Sequence, residues 1–448
     1  MSAKPTAAGS LPEMATAIAR RLQEAGFRAF WVGGCVRDKL LGREPVDYDI
    51  GTSALPDETE KLFERTVAVG RKFGVMVVVE GGHQFQVATF RAEADYRDGR
   101  RPEKVEFGDA IADALRRDFT VNGLFFDPVR QELRDWVGGE ADLRAKIIRT
   151  IGAPEERFAE DHLRMLRAVR LAAQLGFHIE AKTLKALKAH ASKIKEISAE
   201  RIRDELNKLF RPPYAARGLS LLRQSGLLEH VLPEIAATIT CEQSPDFHPE
   251  GSVFNHLESM LKKMPADAHA SLPWAVLLHD VAKPVTASTD PKTGSIHFYG
   301  HEKVGAEMTK EILGRLRFPR KQIEEVSKAV QHHMQFKDVP HMRKATLRRL
   351  LMRPTFPLEL QLHRLDCLGS HGNLDIHDHL VKASAELDRQ PEIRPPLLNG
   401  EDLIALGMRP GAALGQLLAE IREKQLQDEL KTPAEARQWV RHRLRSPG

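Results

Sequence analysis

The sequence contains few cysteines and no long apolar segment. Its 448 residues include three cysteines, Cys35, Cys241 and Cys367, which are far apart and form no CxxC pair. This spacing argues against a disulfide framework or a zinc ribbon and favours a reducing compartment. No run approaches the ~20 apolar residues that a membrane span needs, and the N-terminus lacks the apolar stretch of a secretory signal. We therefore expect a soluble, cytoplasmic protein without a membrane partner.

The charge balance has no strong bias and excludes little. Sixty-seven basic residues oppose 62 acidic ones, which gives a net charge of +5 and a pI near 9.0. A mildly basic chain is compatible with a nucleic-acid partner, although many other enzymes are as basic. The hydrophobic content of 42% is that of an ordinary globular protein, and the length suggests about three domains.

The most informative segment is WVGGCVRDKLLGREPVDYDI, residues 31–50. An apolar run at 29–32 predicts a strand, and Gly33 and Gly34 follow it directly. The glycines allow the backbone to approach a phosphate closely, and the N-terminus of the next predicted helix favours anions. Arg37 lies on that helix and can add a bidentate contact to phosphate. This segment therefore predicts a phosphate-binding turn.

Two carboxylates end the same segment. Because side chains alternate along a strand, Asp47 and Asp49 should lie side by side, while Tyr48 and Ile50 turn toward the core. Paired carboxylate oxygens suit a hard cation such as Mg²⁺, which usually takes one or two carboxylates together with substrate phosphates. A Gly-Gly turn or an Asp-x-Asp pair alone is most often only a turn or a solvated strand edge.

The combination is more specific than its parts. A strand, Gly-Gly, an arginine and Asp-x-Asp in this order within ~20 residues resemble the catalytic signature of polymerase-beta-like nucleotidyltransferases. More narrowly, they resemble the bacterial-type tRNA CCA-adding enzyme and poly(A) polymerase family. The resemblance implies that Asp47 and Asp49 hold two Mg²⁺ ions for nucleotidyl transfer, and that Gly34 and Arg37 grip the triphosphate.

A second motif is LRRDFTVN, residues 115–122. Its paired arginines, Arg116 and Arg117, could simply form a solvated helix face. The string nevertheless resembles a family motif in which an arginine contacts the triphosphate. That resemblance implies a phosphate role for Arg117 and support of the sugar-binding side by Asp118 and Asn122.

A third motif is EDHLRMLRAVRL, residues 160–171. Residues three or four apart on a helix are neighbours, so a single helix would place four charged residues on one row: Asp161, Arg164, Arg167 and Arg170. Met165, Leu166 and Val169 would form the buried stripe. A salt-bridged helix face would explain this pattern. The resemblance implies instead that Asp161 and Arg164 hydrogen-bond the Watson–Crick edge of the incoming base, and that Arg167 and Arg170 contact phosphate or support the site.

Histidines become frequent after residue 247. His256, the pair His279-Asp280 and Asp366 follow one another in the order H…HD…D, with His301 and the pair His332-His333 between them. Imidazole and carboxylate together suit Mn²⁺, Fe, Ni²⁺ or Zn²⁺, and a bridging Asp280 could hold two ions that activate a water.

The histidine pattern resembles an HD-superfamily phosphohydrolase domain. The resemblance implies that one ion binds His256, His279, Asp280 and Asp366, and that His301, His332 and His333 complete a second site. It also implies a secondary phosphatase or cyclic-phosphodiesterase reaction, although such domains can be retained for RNA binding alone.

These motifs predict an α+β head with a small sheet, followed by an all-α body. We expect a nucleotidyltransferase head at 11–150, a helical neck at 151–240, an HD domain at 241–390 and a helical tail at 391–448. A polar loop at 96–102 resembles a family element tied to reorganisation of the site between nucleotides. The tail could contact RNA or merely close the fold.

The predicted reaction adds CCA to the 3′ end of tRNA, with CTP and ATP as substrates. The motifs leave open a poly(A) polymerase, or an enzyme that adds only CC or only A. An alternative of another class is an HD phosphohydrolase whose head merely binds nucleotide. The two carboxylates Asp47 and Asp49 argue against that alternative and against a pure RNA-binding protein, because a binding-only head does not need both.

Overall fold

The computed structural model describes residues 9–92, 106–244 and 251–445. The chain forms two compact units, residues 1–233 and 234–448. The loop at 96–102 lies outside the described residues. The four-part division at 150, 240 and 390 stays a prediction.

The first unit is built on a mixed seven-stranded sheet. Its strands are β1 (Ala29–Val32), β2 (Ile50–Thr52), β3 (Thr66–Gly70), β4 (Val75–Glu80), β5 (His83–Thr89), β6 (Phe125–Asp127) and β7 (Glu132–Arg134). The order across the sheet is β3-β4-β5-β2-β1-β6-β7. The β2–β5 pair is parallel, and the others are antiparallel. Trp31 of β1 faces Ile50 on one side and Phe126 on the other.

Five helices accompany this sheet. They are α1 (Leu11–Glu24), α2 (Gly34–Leu40), α3 (Pro56–Leu62), α4 (Ala110–Leu115) and α5 (Gly139–Ala145). In α1 the buried residues Met14, Ile18 and Leu22 recur every fourth position and form one apolar face. Ser10 and Glu13 form a capping box at its start. A cluster that includes Val32, Phe90 and Phe125 fills the core beside β1 and α4.

A helical region completes the first unit. Two short strands, β8 (Ile147–Ile148) before its first helix and β9 (His178–Ile179) after its second, pair in parallel. The helices are α6 (Pro154–Glu160), α7 (Leu163–Leu175), α8 (Ala181–His190), α9 (Ala199–Leu209), α10 (Ala215–Ser225) and α11 (Leu228–Val231). The short helix α12 (Pro233–Ala237) begins at residue 233, where the first unit ends in the sequence.

The continuous helix expected over 160–171 is wrong. The chain is extended at Asp161, with φ −149° and ψ 103°, and α7 begins only at Leu163. The Asp161 carboxylate accepts a hydrogen bond from the Leu163 amide at 3.0 Å. An aspartate that binds the backbone locally favours a helix start over a helix interior, which explains the break. The expected burial of Met165, Leu166 and Val169 is confirmed.

The second unit is almost entirely helical. Its helices are α13 (Val253–Lys262), α14 (Leu272–Leu278), α15 (Lys283–Thr286), α16 (His301–Arg315), α17 (Arg320–His332), α18 (Lys344–Leu351), α19 (Phe356–Gly369), α20 (Asp375–Asp388), α21 (Gly400–Ala405), α22 (Ala412–Leu426) and α23 (Pro433–Arg445). A small antiparallel pair, β10 (Ser288–Thr289) and β11 (Ile296–His297), lies between α15 and α16. All seven residues of α14 are buried, so α14 is the central helix on which the histidine-rich region packs.

The structure confirms the α+β class. The predicted hairpins around Gly81-Gly82 and within 124–136 are present as β4–β5 and β6–β7. Strand β3 was not predicted, and three of its five residues are exposed. No helix within the described residues has the length and apolar character needed to cross a membrane.

Candidate functional site

The turn after β1 needs glycine at its first position. Gly33 has φ +77°, and a Cβ there would lie 2.8 Å from Nη1 of Arg117. Both features disfavour a side chain at this position. At Gly34 a Cβ would meet only Nη2 of Arg37, at an ordinary 3.7 Å. The site residue predicted from the pair was Gly34, but the steric requirement falls on Gly33.

Arg117 lies directly against this turn and is held by a buried carboxylate. Its Nη2 and Nε donate to Asp113 of α4 at 3.0 and 3.2 Å, and its guanidinium lies 5.1 Å from the centre of the Phe125 ring. Burial would raise the pKa of Asp113, but Arg117 and Arg116 outweigh that effect and lower it. Asp113 therefore stays ionised and fixes the cation beside Gly33.

Four predicted phosphate- and sugar-side residues form one hydrogen-bonded chain. Nη1 of Arg37 donates to Oδ1 of Asn122 at 2.6 Å, and Nδ2 of Asn122 donates to Oδ1 of Asp118 at 3.1 Å. The other oxygen of Asp118 accepts from Nε of Arg167 at 2.8 Å. The chain thus connects α2 with α7 through the 3₁₀ turn at Thr120–Asn122.

The carboxylate in the middle of this chain is ionised. Burial would raise the pKa of Asp118, but the opposing charge of Arg167 and the hydrogen bond from Asn122 lower it. One oxygen of Asp118 accepts from Asn122, and the other accepts from Arg167 of α7. The two cations at the ends, Arg37 and Arg167, are therefore positioned by the same network.

The two candidate metal-binding carboxylates flank a buried aromatic residue. Tyr48 is buried and packs edge-on against Trp31 at 4.7 Å between ring centres, and Ile50 is fully buried. Asp47 is exposed and Asp49 is half-buried. The predicted alternation is confirmed, although the strand itself begins only at Ile50.

Neither carboxylate has a partner side chain. Among the described residues no hydrogen bond or ion pair reaches the side chain of Asp47 or Asp49. Burial raises the pKa of Asp49, and the neighbouring Asp47 adds to the shift, whereas Arg117 opposes it. Two acidic side chains that form no direct hydrogen bond or ion pair with any described side chain are a donor set that a hard divalent cation fits.

The residues expected to read the base are held in different ways. Asp161 accepts from Nη2 of Arg201 at 2.7 Å. Arg164 is buried, donates to the Arg157 carbonyl at 3.1 Å and forms an ion pair with Glu160. The structure therefore places the Asp161 carboxylate next to α9 and turns the guanidinium of Arg164 inward.

Helix α9 braces α7 at a second point. Nε of Arg170 donates to Oε2 of Glu205 at 2.6 Å, and Glu205 is buried. Arg170 therefore supports the helix, which is one of the two roles that the sequence left open.

Sequence reasoning missed Asp113, Arg201 and Glu205 as supports of the site. Asp113 precedes Arg117 by four residues within one helical turn, so spacing could have revealed that pair. The partners of Arg201 and Glu205, Asp161 and Arg170, lie 40 and 35 residues away. Only the fold brings them together.

The second unit contains two overlapping groups of possible metal ligands. His256, His279 and Asp280 form one group, and Asp280, His301 and His333 form the other; within each, the ligand atoms lie within 4.8 Å of one another. All are buried. Asp366 lies next to them, with Oδ1 3.1 Å from Nε2 of His256.

His332 is not part of either group. Its Nδ1 lies 3.0 Å from Oε1 of Glu359, a buried carboxylate that also accepts from Thr355 and Arg353. This contact directs the His332 ring toward Glu359 and away from the two groups. The structure brings His333 alone into the group.

The ring orientations of the histidines are those of metal ligands. The Nδ1 atoms of His279, His301 and His333 lie 2.8, 2.7 and 2.6 Å from the carbonyls of Val276, Phe298 and Val330. Because a carbonyl only accepts, each Nδ1 carries the proton and each Nε2 presents a lone pair.

This leaves two lone pairs facing each other. Nε2 of His301 and Nε2 of His333 are 3.2 Å apart, and burial lowers the pKa of His333 to about 3, with His279 adding to the effect. Two neutral acceptors at this distance cannot hydrogen-bond each other. A cation satisfies both, so these residues fit a metal ion.

The shared carboxylate is strongly acidic. Burial would raise the pKa of Asp280, but His279 and Lys283 outweigh it and hold the pKa well below its usual range. Asp280 therefore presents charged oxygens to both groups.

Three family models match the chain in sequence order. They are the Poly A polymerase head domain at 29–149, the probable RNA and SrmB-binding site of polymerase A at 176–239, and the HD domain at 252–369. The first segment contains Asp47 and Asp49 and the hydrogen-bonded residues Arg37, Asp118 and Asn122. The third segment contains both groups of possible metal ligands.

Curated relatives match one part of the chain. The CCA-adding enzyme of Geobacillus kaustophilus is 45% identical over 228 residues, which are 51% of this chain and 56% of that protein. The CCA-adding enzyme of Streptococcus mutans is 43% identical over 222 residues, 49% of this chain and 55% of that protein. The chain thus spans about half the length of the curated relatives it matches.

Solved structures match almost the whole chain. The CCA-adding enzyme of Bacillus stearothermophilus in complex with CTP has a TM-score of 0.75 and 28% identity, with 98% of each chain covered. The Thermotoga maritima CCA-adding enzyme complexed with tRNA shares the fold, with a TM-score of 0.55 and 21% identity over 96% of this chain and 95% of that one. With the three family models in this order, the chain contains a Poly A polymerase head domain, a segment like the probable RNA and SrmB-binding site of polymerase A, and an HD domain. Along almost its whole length its fold is similar to that of CCA-adding enzymes.

Proposed function

We propose that this chain adds CCA to the 3′ end of tRNA, with CTP and ATP as nucleotide donors. The observation that carries the proposal is the unpartnered pair Asp47 and Asp49 beside the cations of one hydrogen-bonded network. A site that only bound nucleotide would gain nothing from two adjacent, mutually repelling carboxylates. The likeness to CCA-adding enzymes, one of them in complex with CTP, supports the same reaction.

In this proposal Asp47 and Asp49 hold Mg²⁺. Bound Mg²⁺ would lower the pKa of the primer 3′-hydroxyl and neutralise charge on the pyrophosphate leaving group. The chain's own contribution is positioning. Gly33 leaves room for Arg117 against the turn, and Gly34, Arg37 and Arg117 grip the triphosphate. Asp118 and Asn122 hold the sugar side and keep Arg37 aligned with Arg167.

The base is selected by side chains of α7 and the residue before it. A carboxylate accepts from the exocyclic amine that cytosine and adenine share, and a guanidinium donates to the adjacent ring acceptor. We assign these roles to Asp161 and Arg164. Because Arg164 is paired with Glu160, it must exchange that contact for the base when nucleotide binds. Arg167 and Arg170 support the helix and its approach to phosphate.

The tRNA partner is recognised largely through charge and shape, as is usual for double-stranded RNA. We propose the boundaries at 150, 240 and 390 as functional divisions, with a nucleotidyltransferase head, a neck, an HD domain and a tail. The buried free thiols of Cys35, Cys241 and Cys367 fit a reducing compartment, and we place the reaction in the cytoplasm.

A second reaction, phosphoester hydrolysis, is favoured by the histidine–aspartate groups. His256, His279, Asp280 and Asp366 would hold one ion, and Asp280, His301 and His333 a second; imidazole ligands favour Mn²⁺, Ni²⁺, Fe or Zn²⁺. Such ions would lower the pKa of a bound water. The facing Nε2 atoms of His301 and His333 carry this proposal.

The deciding experiment offers purified protein, Mg²⁺ and tRNA that lacks its 3′ end. The products with CTP alone, ATP alone and both are sized at single-nucleotide resolution. We expect two additions with CTP and a third only when ATP is also present.

Other products would identify the alternatives. A long ladder with ATP alone would mean a poly(A) polymerase, and addition limited to C or to a single A would mean a divided activity. No extension at all would contradict the proposal and leave hydrolysis as the main reaction.

A further inference from the structure

A cavity lies in the first unit beside the start of β1. Its volume is about 470 Å³, which lies within the range of sites for one small organic ligand. Ala29 and Phe30 of β1 line it, together with Gln23 of α1 and Asp127 at the end of β6. The Gly33 turn follows the other end of β1, and among the described residues none of those assigned to nucleotide addition lines this cavity.

The most informative group in this cavity is the carboxylate of Asp127. Its Oδ1 accepts three hydrogen bonds, from the amides of Val129 and Arg130 at 3.0 Å each and from Nε2 of Gln23 at 3.2 Å. These contacts explain why an aspartate stands at the β6–β7 turn. Oδ2 has no donor among the described residues, although Asp127 is only 6% exposed. Because a buried carboxylate oxygen without a donor is costly, Oδ2 fits an N–H group of a ligand.

Gln23 adds a second acceptor. Its Nε2 donates to Asp127 and to the carbonyl of Ala29, at 2.9 Å, so both amide hydrogens are used and the orientation of the amide is fixed. Oε1 then has no donor among the described residues. Two acceptors on hydrogen-bonded neighbours match the two adjacent donors of guanine, N1–H and the amino group. Adenine and cytosine instead place an acceptor beside their amine on the Watson–Crick edge.

Two partly buried rings provide a surface for such a base. Phe30 and Trp136 line the cavity, and both pack against Phe125, with ring centres 6.1 and 5.4 Å away. Aromatic side chains are surfaces on which nucleic-acid bases stack. Apolar rings beside a few polar groups are also the usual composition of a small-molecule site.

Three arginines surround the same cavity. Arg28, Arg130 and Arg134 line it, and all three are exposed. Arg134 pairs with Glu132, whereas the guanidiniums of Arg28 and Arg130 have no hydrogen-bonding or ionic partner among the described residues. A guanidinium binds phosphate oxygens, often through two parallel hydrogen bonds. Because the cations outnumber the single carboxylate of Asp127, the ligand should carry more than one negative charge.

We propose that this cavity binds a guanosine di- or triphosphate. The base donates to Asp127 and Gln23 and lies against the aromatic rings, and the phosphates bind Arg28 and Arg130. Addition of CCA uses no guanine nucleotide, so this is an effector site and not a second substrate site. The proposal goes beyond nucleotide addition and does not depend on it.

Calorimetric titration of the full chain tests the base contacts. The ligands are the 5′-diphosphates of guanosine (GDP), inosine (IDP) and xanthosine (XDP). Inosine lacks the 2-amino group of guanosine, and xanthosine has an oxygen in its place. We expect GDP to bind about tenfold more tightly than either, because only GDP gives both acceptors a donor. Equal affinity for GDP and IDP, or no binding of GDP at millimolar concentration, would overturn the proposal.

Asp127→Asn should reverse the preference. Because Oδ1 must keep its three N–H donors, the new amide places its NH₂ group where Oδ2 was. That group opposes the amine of guanine and donates to the 2-oxygen of xanthine. We expect GDP to bind about tenfold more weakly and XDP about tenfold more tightly, with an unchanged melting temperature. Unchanged affinities would show that GDP binds elsewhere, such as at the nucleotide site of the head, and would overturn the proposal.

The phosphate contacts are tested separately, with variants of exposed residues that do not endanger folding. Arg28→Ala and Arg130→Ala should each weaken GDP and IDP by the same factor, about fivefold. Arg20→Ala, an exposed arginine of α1 outside the cavity, is the matched control and should change neither. Unchanged GDP affinity in both cavity variants would overturn the phosphate contacts. Tighter binding of a short guanosine-containing RNA than of GDP would overturn the assignment to a free nucleotide.

Discussion

The two candidate metal sites are assembled to different degrees by the chain itself. In the second unit, buried imidazoles and the shared Asp280 already lie within 4.8 Å of one another, and backbone carbonyls fix the histidine rings. In the head, one of the two carboxylates is exposed and the other half-buried, and no further acidic ligand joins them in the described residues. The histidine–aspartate groups of the second unit supply enough ligands for an ion by themselves. In the proposed function, the two carboxylates of the head would need a substrate that contributes its own oxygens.

The chemistry of the donors follows the same division. Mg²⁺ keeps waters and substrate phosphates in its coordination shell and needs few protein carboxylates. Imidazole-rich sets favour transition metals. Under the proposed function, the head would therefore depend on its nucleotide to complete the metal site, and the second unit would not.

The strongest test of this separation is a pair of reciprocal variants. Replacing both Asp47 and Asp49 by Ala should lower nucleotide addition by about a thousandfold or more, since the metal stabilises charge in the transition state, and should leave phosphoester hydrolysis unchanged. Asp280→Ala should give the opposite result. Initial rates of tRNA extension and of p-nitrophenyl phosphate hydrolysis measure both. Glu44→Ala, an exposed acid in the same loop, is the control, and addition that survives in the double variant would refute the metal assignment.

Removal and return of metal should sharpen the comparison further. After chelation and dialysis, we expect Mg²⁺ alone to restore nucleotide addition while hydrolysis stays about a hundredfold below its level with Mn²⁺ or Ni²⁺. Rates measured against added metal give the result. Full recovery of hydrolysis with Mg²⁺ would show that the imidazole groups do not select a transition metal.

A smaller effect should follow from the brace on Asp161. Arg201→Ala removes the contact at 2.7 Å and should lower the preference for CTP over UTP by about tenfold, because a misplaced carboxylate reads the exocyclic amine less well. The ratio of kcat/KM for the two nucleotides is the measurement. Arg203→Ala, on the same helix and paired with Asp204, is the control. A uniform loss of rate with the ratio intact would make Arg201 purely structural.

The smallest expected effect concerns stability of the head. The pKa of Asp113 is lowered in the folded chain, so its stabilisation is fully present above the unfolded pKa of about 4 and is lost as pH falls through the folded value. Asp113→Asn should reduce the opening free energy of α4 by about 2 kcal/mol at pH 7, and the difference from wild type should shrink below pH 4.

Hydrogen exchange of peptides that contain 110–115 measures this effect. Glu132→Gln removes an exposed ion pair with Arg134 and should change little. A constant difference across the acidic range would assign the loss to packing instead of charge.

Short-range sequence patterns predicted much of the fold correctly. Alternation correctly placed Tyr48 and Ile50 in the core, and the Gly-Gly pair at 81–82 identified a hairpin. The pattern failed where a side chain competes locally with the backbone, as Asp161 does at the break before α7. It also failed at β3, whose exposed valines show no alternation between faces.

The candidate site was predictable where its residues are close together in the sequence. It was much less predictable where the fold brings together residues that are distant in the sequence. The motifs predicted site roles for Arg37, Arg117, Asp118 and Asn122, and the structure brings these side chains together. The exclusion of His332 depends on its contact with Glu359, 27 residues away, and the contacts of α9 with Asp161 and Arg170 also join residues far apart in sequence. The residue types indicate which chemistry a site could perform, but the packing of the helices determines which side chains lie together in that site.

The backbone turn at Gly33 should tolerate almost no amino-acid replacement at this position. Every amino-acid replacement there adds a Cβ that strikes Arg117, at 2.8 Å, in a backbone conformation that side chains disfavour. Replacement of this glycine therefore disturbs Arg117, the cation proposed to bind phosphate, even though glycine itself contributes no functional group. In a mutational survey, we expect replacements of Gly33 to be tolerated as poorly as replacements of Asp47 and Asp49, because Arg117 occupies the space that a side chain would need.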